Sequence, residues 1–204
     1  MAHETLAPWA ELVPEVGPMT VDELLALPPD NWMHELVKGG LVRMPASGGE
    51  ASHIAARLVT ALGQFVEPGD LGAVTGADGE YNLTQLGDTQ ETALAPDAAF
   101  VRAGRIPPRT SPEYQGAWRL APDLVAEVVS PNQYRTEMTA KAKRYLAAGV
   151  RLVWVMWPRY QQVDVWCPSA PGAEQPVVTP RIGEALAGLD VLPGFVYPLT
   201  RLFA

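Results

Sequence analysis

Residues 124–129 read Leu-Val-Ala-Glu-Val-Val, and this short apolar run with a single charge in it decides the fold. Hydrophobic side chains stand at odd and even positions alike, which is typical of a strand covered on both faces of a sheet. Glu127 breaks that pattern. A carboxylate in such a strand must be paired, neutralised or bound to a metal, because an isolated buried charge is very costly. Glu127 is therefore the first candidate for a functional residue.

Two aspartates that each follow a proline, Asp97 and Asp123, are candidate partners for Glu127. Asp123 lies four residues before Glu127 on the same strand, and at ~3.3 Å per residue their backbones are about 13 Å apart. Asp97 begins a different apolar strand, 97–102, and neighbouring strands lie only ~5 Å apart. Asp97 is therefore the better partner over one cation. Mg²⁺ suits such a pair, since it takes one or two carboxylates and completes its coordination with water and substrate phosphate oxygens.

A basic candidate, Lys141, lies on a helix predicted over residues 134–148 and ended by a glycine. The inward stripe of this helix consists of Met138, Ala142, Tyr145 and Gly149. Lys141 lies roughly 60° from the centre of that stripe, so it can reach inward and stabilise phosphate charge or orient the attacking water. The alternative is an exposed ion pair with Glu137, one turn earlier. Helical spacing alone does not decide whether Lys141 points inward or pairs with Glu137 at the surface.

The composition limits the class of protein. The 204 residues predict one domain, 19–204, preceded by a proline-containing surface arm, 1–18. A net charge of -8 argues against a protein that coats nucleic acid non-specifically. Three histidines and one cysteine exclude a thiolate zinc cluster and an internal disulfide. The sequence has neither an apolar stretch of the ~18 to 20 residues that a membrane span needs nor a signal peptide, so we expect a cytoplasmic protein without membrane contact.

Periodicity predicts the other elements. A capping box at Thr20 begins a short helix, and a longer helix that begins near Gly49 has apolar residues at helical spacing that should pack on a sheet. On this helix His53 lies opposite the apolar stripe, as an ordinary exposed residue or as one that faces a ligand. Residues 72–86 fit a hairpin or an irregular meander, and 103–122 fit a long loop. The strand, helix and strand over 124–156 predict a right-handed crossover in a mixed sheet, with 163–166 nearer its edge.

Three motifs taken together resemble a known family. They are Pro96-Asp97, the segment PDLVAEVVSP at 122–131, and Lys141-x-x-x-Tyr145-x-x-x-Gly149-Val150. This combination resembles the Uma2 family of the PD-(D/E)XK nuclease superfamily over roughly residues 19–204. The resemblance implies an α/β (α+β) fold with a restriction-endonuclease-like core, in which a mixed β-sheet is flanked by helices.

The same resemblance implies roles for individual residues. Asp97 and Glu127 correspond to Mg²⁺ (or Mn²⁺) ligands, with Val128 as a further ligand, and Lys141 corresponds to the catalytic lysine. Glu35 corresponds to an additional acid from the N-terminal helical region that binds metal or orients water. The superfamily usually has its lysine two residues after the second acid, where this chain has a valine, and in the family that lysine has moved to the following helix. The family often has Asp where this chain has Glu137, which puts any role of residue 137 in orienting the lysine in doubt.

These features support three hypotheses. The first is a Mg²⁺-dependent endonuclease that hydrolyses DNA, expected as a homodimer because double-strand cutting needs two active sites. The second is a catalytically degenerate module that keeps the nuclease scaffold to bind nucleic acid or protein, which the acidic net charge favours. The third is a purely structural ion pair between Glu127 and Lys141, whose replacement by apolar residues would often be neutral or stabilising.

Overall fold

The structure is a computed structural model that describes residues 11–13, 16–131, 133–168 and 175–204. In chain order the helices are α1 (Val21–Leu25), α2 (Gly49–Val66), α3 (Pro112–Gln115), α4 (Arg135–Ala147) and α5 (Leu199–Leu202). The strands are β1 (Glu11–Leu12), β2 (Trp32–Val37), β3 (Gly40–Pro45), β4 (Gly72–Gly76), β5 (Tyr81–Asn82), β6 (Ala93–Leu94), β7 (Ala98–Arg102), β8 (Leu124–Val128), β9 (Leu152–Trp157), β10 (Gln162–Trp166), β11 (Ala185–Ala187) and β12 (Val196–Pro198).

The centre of the molecule is a mixed five-stranded sheet with the order β10-β9-β8-β7-β4. Strands β8 and β9 are parallel, with α4 between them in the chain, and the other neighbours are antiparallel. The predicted mixed sheet flanked by helices is confirmed, and so is the position of β10 at the edge. All five residues of β8 are buried, as its unbroken apolar pattern predicts for a strand covered on both faces.

Each face of the central sheet is covered by one of the predicted helices. On one face α2 packs through Ile54, Leu58 and Leu62 against the even-numbered residues of β8, together with the C-terminal elements β11, β12 and α5. On the other face α4 packs through its predicted inward stripe against the odd-numbered residues of β8 and β9. Side chains alternate along a strand, so Glu127 faces α4 together with Val125. The three tryptophans of β9 and β10, at positions 154, 157 and 166, are all buried in the core.

A second five-stranded sheet, entirely antiparallel, was not predicted. Its order is β1-β3-β2-β6-β5, and it packs around a smaller apolar cluster that includes α1, whose predicted capping box at Thr20 is present. One expectation was wrong here, and one of two alternatives is excluded. Glu35 lies in β2, paired across to Val42, and not in a helical region. Of the hairpin and the irregular meander that residues 72–86 allowed, the hairpin is excluded, because β4 belongs to the central sheet and β5 to the second one.

The N-terminal segment, predicted as a surface arm over residues 1–18, contributes to this second sheet. Glu11 and Leu12 pair with Arg43 and Val42 at the sheet edge. Residues 1–10, 14 and 15 lie outside the described residues. Within the described ranges, no helix has the length and apolar character needed to cross a membrane.

Candidate active site

Four of the predicted site residues come from four separate elements. Glu127 lies on β8, Lys141 on α4 and Glu35 on β2, while Asp97 immediately precedes β7. The antiparallel register of β7 and β8 pairs Ala98 with residue 126, which places Asp97 beside Glu127 at the end of that pairing. The sequence-based choice of Asp97 as the neighbour of Glu127 is therefore consistent with the strand register.

A short link between the two sheets brings Glu35 to the same place. The chain leaves the second sheet at Leu94 and enters the central sheet at Ala98, so Ala95 and Asp97 lie at the junction. The backbone N–H of Ala95 donates a hydrogen bond of 3.4 Å to Glu35 Oε1. Glu35 is 4% exposed, so the second sheet contributes a buried acid near the ends of β7 and β8 in the central sheet.

Lys141 connects the two glutamates. Its Nζ lies 2.8 Å from Glu35 Oε1 and 3.0 Å from Glu127 Oε1. The lysine side chain is only 14% exposed, so these ion pairs form in a largely dry environment. Of the two alternatives that spacing left open, Lys141 takes the inward one. The carboxylate of Glu137 instead accepts a hydrogen bond of 3.0 Å from the backbone N–H of Tyr134 at the start of α4.

Two further hydrogen bonds fix the carboxylates. The Tyr145 hydroxyl donates to Glu127 Oε1 over 2.6 Å, and the backbone N–H of Val128 donates to Asp97 Oδ2 over 2.7 Å. Sequence reasoning placed Tyr145 on the inward stripe but missed it as a partner of Glu127. The signal was present, because a buried tyrosine hydroxyl needs a polar partner and Tyr145 lies one helical turn after Lys141.

The electrostatics of the cluster reflect an excess of negative charge. Burial raises the pKa of Glu127 to about 7, Lys141 opposes this rise, and the nearby carboxylates of Asp97 and Glu35 add to it. Burial also raises the pKa of Asp97, although the hydrogen bond from the Val128 N–H and the charge of Lys141 both lower it. Burial alone would lower the pKa of Lys141, but Glu127 and Glu35 raise it above its usual value. Lys141 is therefore a cation at neutral pH.

The cluster opens onto a cavity of about 210 Å³. Its walls include all four residues and Val128, together with the loop after β3 and the loop after β8. A small ligand group that enters this cavity therefore meets three carboxylates and one lysine.

The other candidate acid, Asp123, lies outside this cavity. It accepts a hydrogen bond of 2.9 Å from the Arg102 N–H and pairs with Arg105 at 3.0 Å. His53 is exposed and accepts a hydrogen bond from Arg57 Nε, one turn later on α2.

The donor set can be tested against a divalent cation. Among the described residues, no three Asp, Glu, His or Cys side chains form a group arranged to hold a metal ion. A divalent cation held by only two carboxylates, those of Asp97 and Glu127, does fit. Asp97 Oδ1 and Glu127 Oε2 accept no hydrogen bond from the residues that the structure describes. Mg²⁺ is commonly bound by one or two carboxylates plus water, and an added cation would offset the excess negative charge.

Comparison with known proteins identifies the fold and the family of this chain. A crystal structure described as a putative nuclease belonging to DUF820 from Anabaena variabilis ATCC 29413 superposes with a TM-score of 0.72 at 23% identity, covering 91% of this chain and 98% of that one. This likeness shows that the two chains share a fold. No curated protein matches the sequence. The sequence model of the family Uma2, described as "Putative restriction endonuclease", matches residues 21–200, and the chain therefore belongs to the Uma2 family.

Proposed function

We propose that this protein is a metal-dependent endonuclease that hydrolyses phosphodiester bonds in DNA. The observation that carries the proposal is the convergence of Asp97, Glu127 and Lys141 on one cavity, with the buried acid Glu35 bonded to the lysine. These residues come from both sheets and from α4, although up to 106 positions separate them in the chain. Membership of a family described as "Putative restriction endonuclease" supports the same reaction class.

In this proposal Asp97 and Glu127 hold Mg²⁺ or Mn²⁺, with Val128 as a further ligand through its main chain. The bound ion would supply positive charge against the phosphate oxygens and the charge that develops on them during hydrolysis. Burial raises the pKa of both Asp97 and Glu127 in spite of the opposing charge of Lys141, which supports this assignment because a bound cation would add compensating charge.

Lys141 acts as a hydrogen-bond donor and a positive charge. Since Glu127 and Glu35 raise its pKa, the lysine keeps its proton and does not serve as the base. Its ammonium group can orient the attacking water and stabilise negative charge on the phosphate. Proton acceptance from that water then falls to a carboxylate. We assign it to Glu35 Oε2, because Oε1 of this residue accepts from Lys141 and from the Ala95 N–H.

A second candidate function is a non-catalytic module on the nuclease scaffold. Two observations favour it: the net charge of -8, and the engagement of Lys141 with two carboxylates at once. A lysine held in this way can act purely as the counter-charge of a buried cluster. The two functions differ in whether the carboxylates bind a divalent cation.

Cleavage of supercoiled plasmid tests the first function. With Mg²⁺ or Mn²⁺ the purified protein should nick the plasmid, and Glu127→Gln should abolish nicking while leaving the circular dichroism spectrum unchanged. The matched control is Glu67→Gln, the same substitution at an exposed position that lies outside the cavity. Nicking that persists in Glu127→Gln would rule out the assignment, as would equal loss in both variants.

Metal titration tests the second function. Calorimetry with Mn²⁺ should detect binding to the wild-type protein and its loss in Asp97→Asn. The control Asp123→Asn removes a buried acid that is paired with arginines and should retain Mn²⁺ binding. A wild-type protein that binds no Mn²⁺ would favour the degenerate module over the nuclease.

The expected homodimer and the cytoplasmic location stay predictions. If both strands of a duplex are cut in one encounter, two active sites are needed, and analytical ultracentrifugation of the active protein should then show a dimer. A protein that linearises plasmid as a monomer would contradict this expectation.

A further inference from the structure

A second cavity, of about 340 Å³, lies directly beside the catalytic one. The two share three lining residues, Ser130, Pro131 and Gln133, which belong to the segment between β8 and α4. The second cavity uses none of the four residues of the carboxylate cluster. It is therefore a separate cavity that shares one wall with the site at which a phosphate would be cut.

The walls of this second cavity are aromatic and basic. Tyr134 and Tyr160 line it with 59% and 62% of their surface exposed, and Trp157 forms part of its floor. The guanidinium of Arg135 lies over the Trp157 ring, 4.3 Å from its centroid. Flat aromatic faces beside an arginine are the surfaces on which unpaired bases stack.

A buried anchor holds the arginine and the tryptophan in place. Asp164, which is 3% exposed, accepts hydrogen bonds from Trp157 Nε1 at 2.8 Å, from Thr179 Oγ1 at 3.0 Å and from Arg135. One buried carboxylate thus fixes two walls of the cavity before any ligand arrives. Pre-organised walls reduce the ordering cost of binding.

The charged residues at the rim of the second cavity match the phosphate and the base of one nucleotide. Arg159 lines the cavity, is exposed and has no ion-pair partner in the described part of the chain, so its guanidinium is available to a phosphate. Glu50, at the start of α2, also lines the cavity and would repel a phosphate next to it. Its carboxylate can instead accept a hydrogen bond from the exocyclic amine of a base.

We propose that this second cavity binds an unpaired nucleobase of the DNA strand whose phosphate lies in the catalytic cavity, so that the substrate is single-stranded or locally unpaired DNA. The inference rests on the proposed nuclease function and names its substrate class. The base stacks on the exposed tyrosine faces, and Arg159 contacts the phosphate that follows it. A paired base in a duplex has both faces covered by its neighbours and cannot enter in this way.

Binding is measured without cleavage, by fluorescence anisotropy of a labelled single strand and of the matching hairpin duplex in EDTA. We expect the wild-type protein to prefer the single strand, and Tyr160→Ala and Arg159→Ala each to weaken single-strand binding by about tenfold. Tyr160→Phe keeps the stacking face and should bind like the wild type. The control Arg109→Ala removes an exposed arginine that lies over Tyr114, outside this cavity.

The outcomes of this binding experiment test the base-binding site separately from the nuclease function. Equal affinity for both DNA forms, or unchanged binding by Tyr160→Ala, would overturn the base-binding site. Equal weakening by Arg109→Ala would also overturn it, because the effect would then be one of net charge. Because EDTA removes the metal, an inactive protein can still pass this test, and an active nuclease can still fail it.

Discussion

The charge balance of the carboxylate cluster gives a quantitative prediction for Lys141→Met. This substitution keeps much of the lysine's apolar length but removes the only cation that ion-pairs with Glu127 among the described residues. The Lys141 Nζ lies 3.0 Å from Glu127 Oε1, so the lost attraction is about 5 kcal/mol at an effective dielectric constant of 20, or roughly four pKa units. The folded-state pKa of Glu127 should therefore rise well beyond its present value.

The consequence is a pH-dependent loss of stability. Because burial raises the pKa of Glu127 to about 7, the folded wild-type protein holds a proton that the unfolded chain releases near pH ~4.3. The wild-type free energy of unfolding should therefore fall as the pH rises to about 7 and then level off. In Lys141→Met the decline should continue at about 1.4 kcal/mol per pH unit. The deficit of the variant at pH 9 should therefore exceed its deficit at pH 7 by about 2 kcal/mol, since the wild type itself still loses a few tenths of a kcal/mol above its Glu127 pKa of about 7.

Urea denaturation at several pH values between 6 and 9 measures this difference. The matched control is Lys143→Met, on the same helix but outside the walls of the catalytic cavity, and its curve should run parallel to that of the wild type. A constant offset between Lys141→Met and the wild type over this range would refute the reasoning. So would an equal slope in both lysine variants, because the effect would then come from net charge and not from the cluster.

Two other predictions concern the scaffold around the site. Gly72→Ala should destabilise the protein by more than about 2 kcal/mol, since its Cβ would lie 2.1 Å from the Val101 carbonyl oxygen. The control is Gly76→Ala at the other end of β4, whose Cβ would meet no atom within 4 Å and which should be tolerated. Thermal denaturation compares the two variants, and equal melting temperatures would contradict the packing argument. Asp123→Asn should cost about 2 kcal/mol in urea denaturation, because a buried charged acceptor is weakened. Stability unchanged by Asp123→Asn would show that its arginine contacts contribute little.

The central sheet and its two helices were predictable because their signals are local. An apolar run such as 124–129 that is followed by a helix and another apolar run commonly folds as two parallel strands, with the helix packed across them. The helical period then placed Lys141 near the inward stripe, and the strand spacing favoured Asp97 over Asp123. Each of these inferences needs only the geometry of one element or of two neighbouring strands.

The second sheet was not predictable because its strands are short and are stabilised by distant partners. Strands β5 and β6 contain two residues each, too few for a periodic pattern. In β2 the burial does not alternate, since Glu35 and Leu36 are adjacent and both buried. Glu35 is buried because Lys141, 106 residues later, pairs with it. No local pattern contains that information, and a lone glutamate before a leucine is more often a surface charge.

The position of the lysine follows from the packing of β8. Residues 127 and 129 point to the same face of the strand, so a lysine at either position 129 or on the helix above could reach the carboxylate of Glu127. In this chain Val129 is 7% exposed and packs in the apolar cluster with Met138 and Tyr145 of α4. A lysine at 129 would have to displace that contact, whereas Lys141 approaches from α4 itself and leaves it intact. The helix that covers this face of the sheet therefore supplies both the apolar contacts to Val129 and the cation beside Glu127, so the position of α4 determines where the lysine lies relative to the carboxylates.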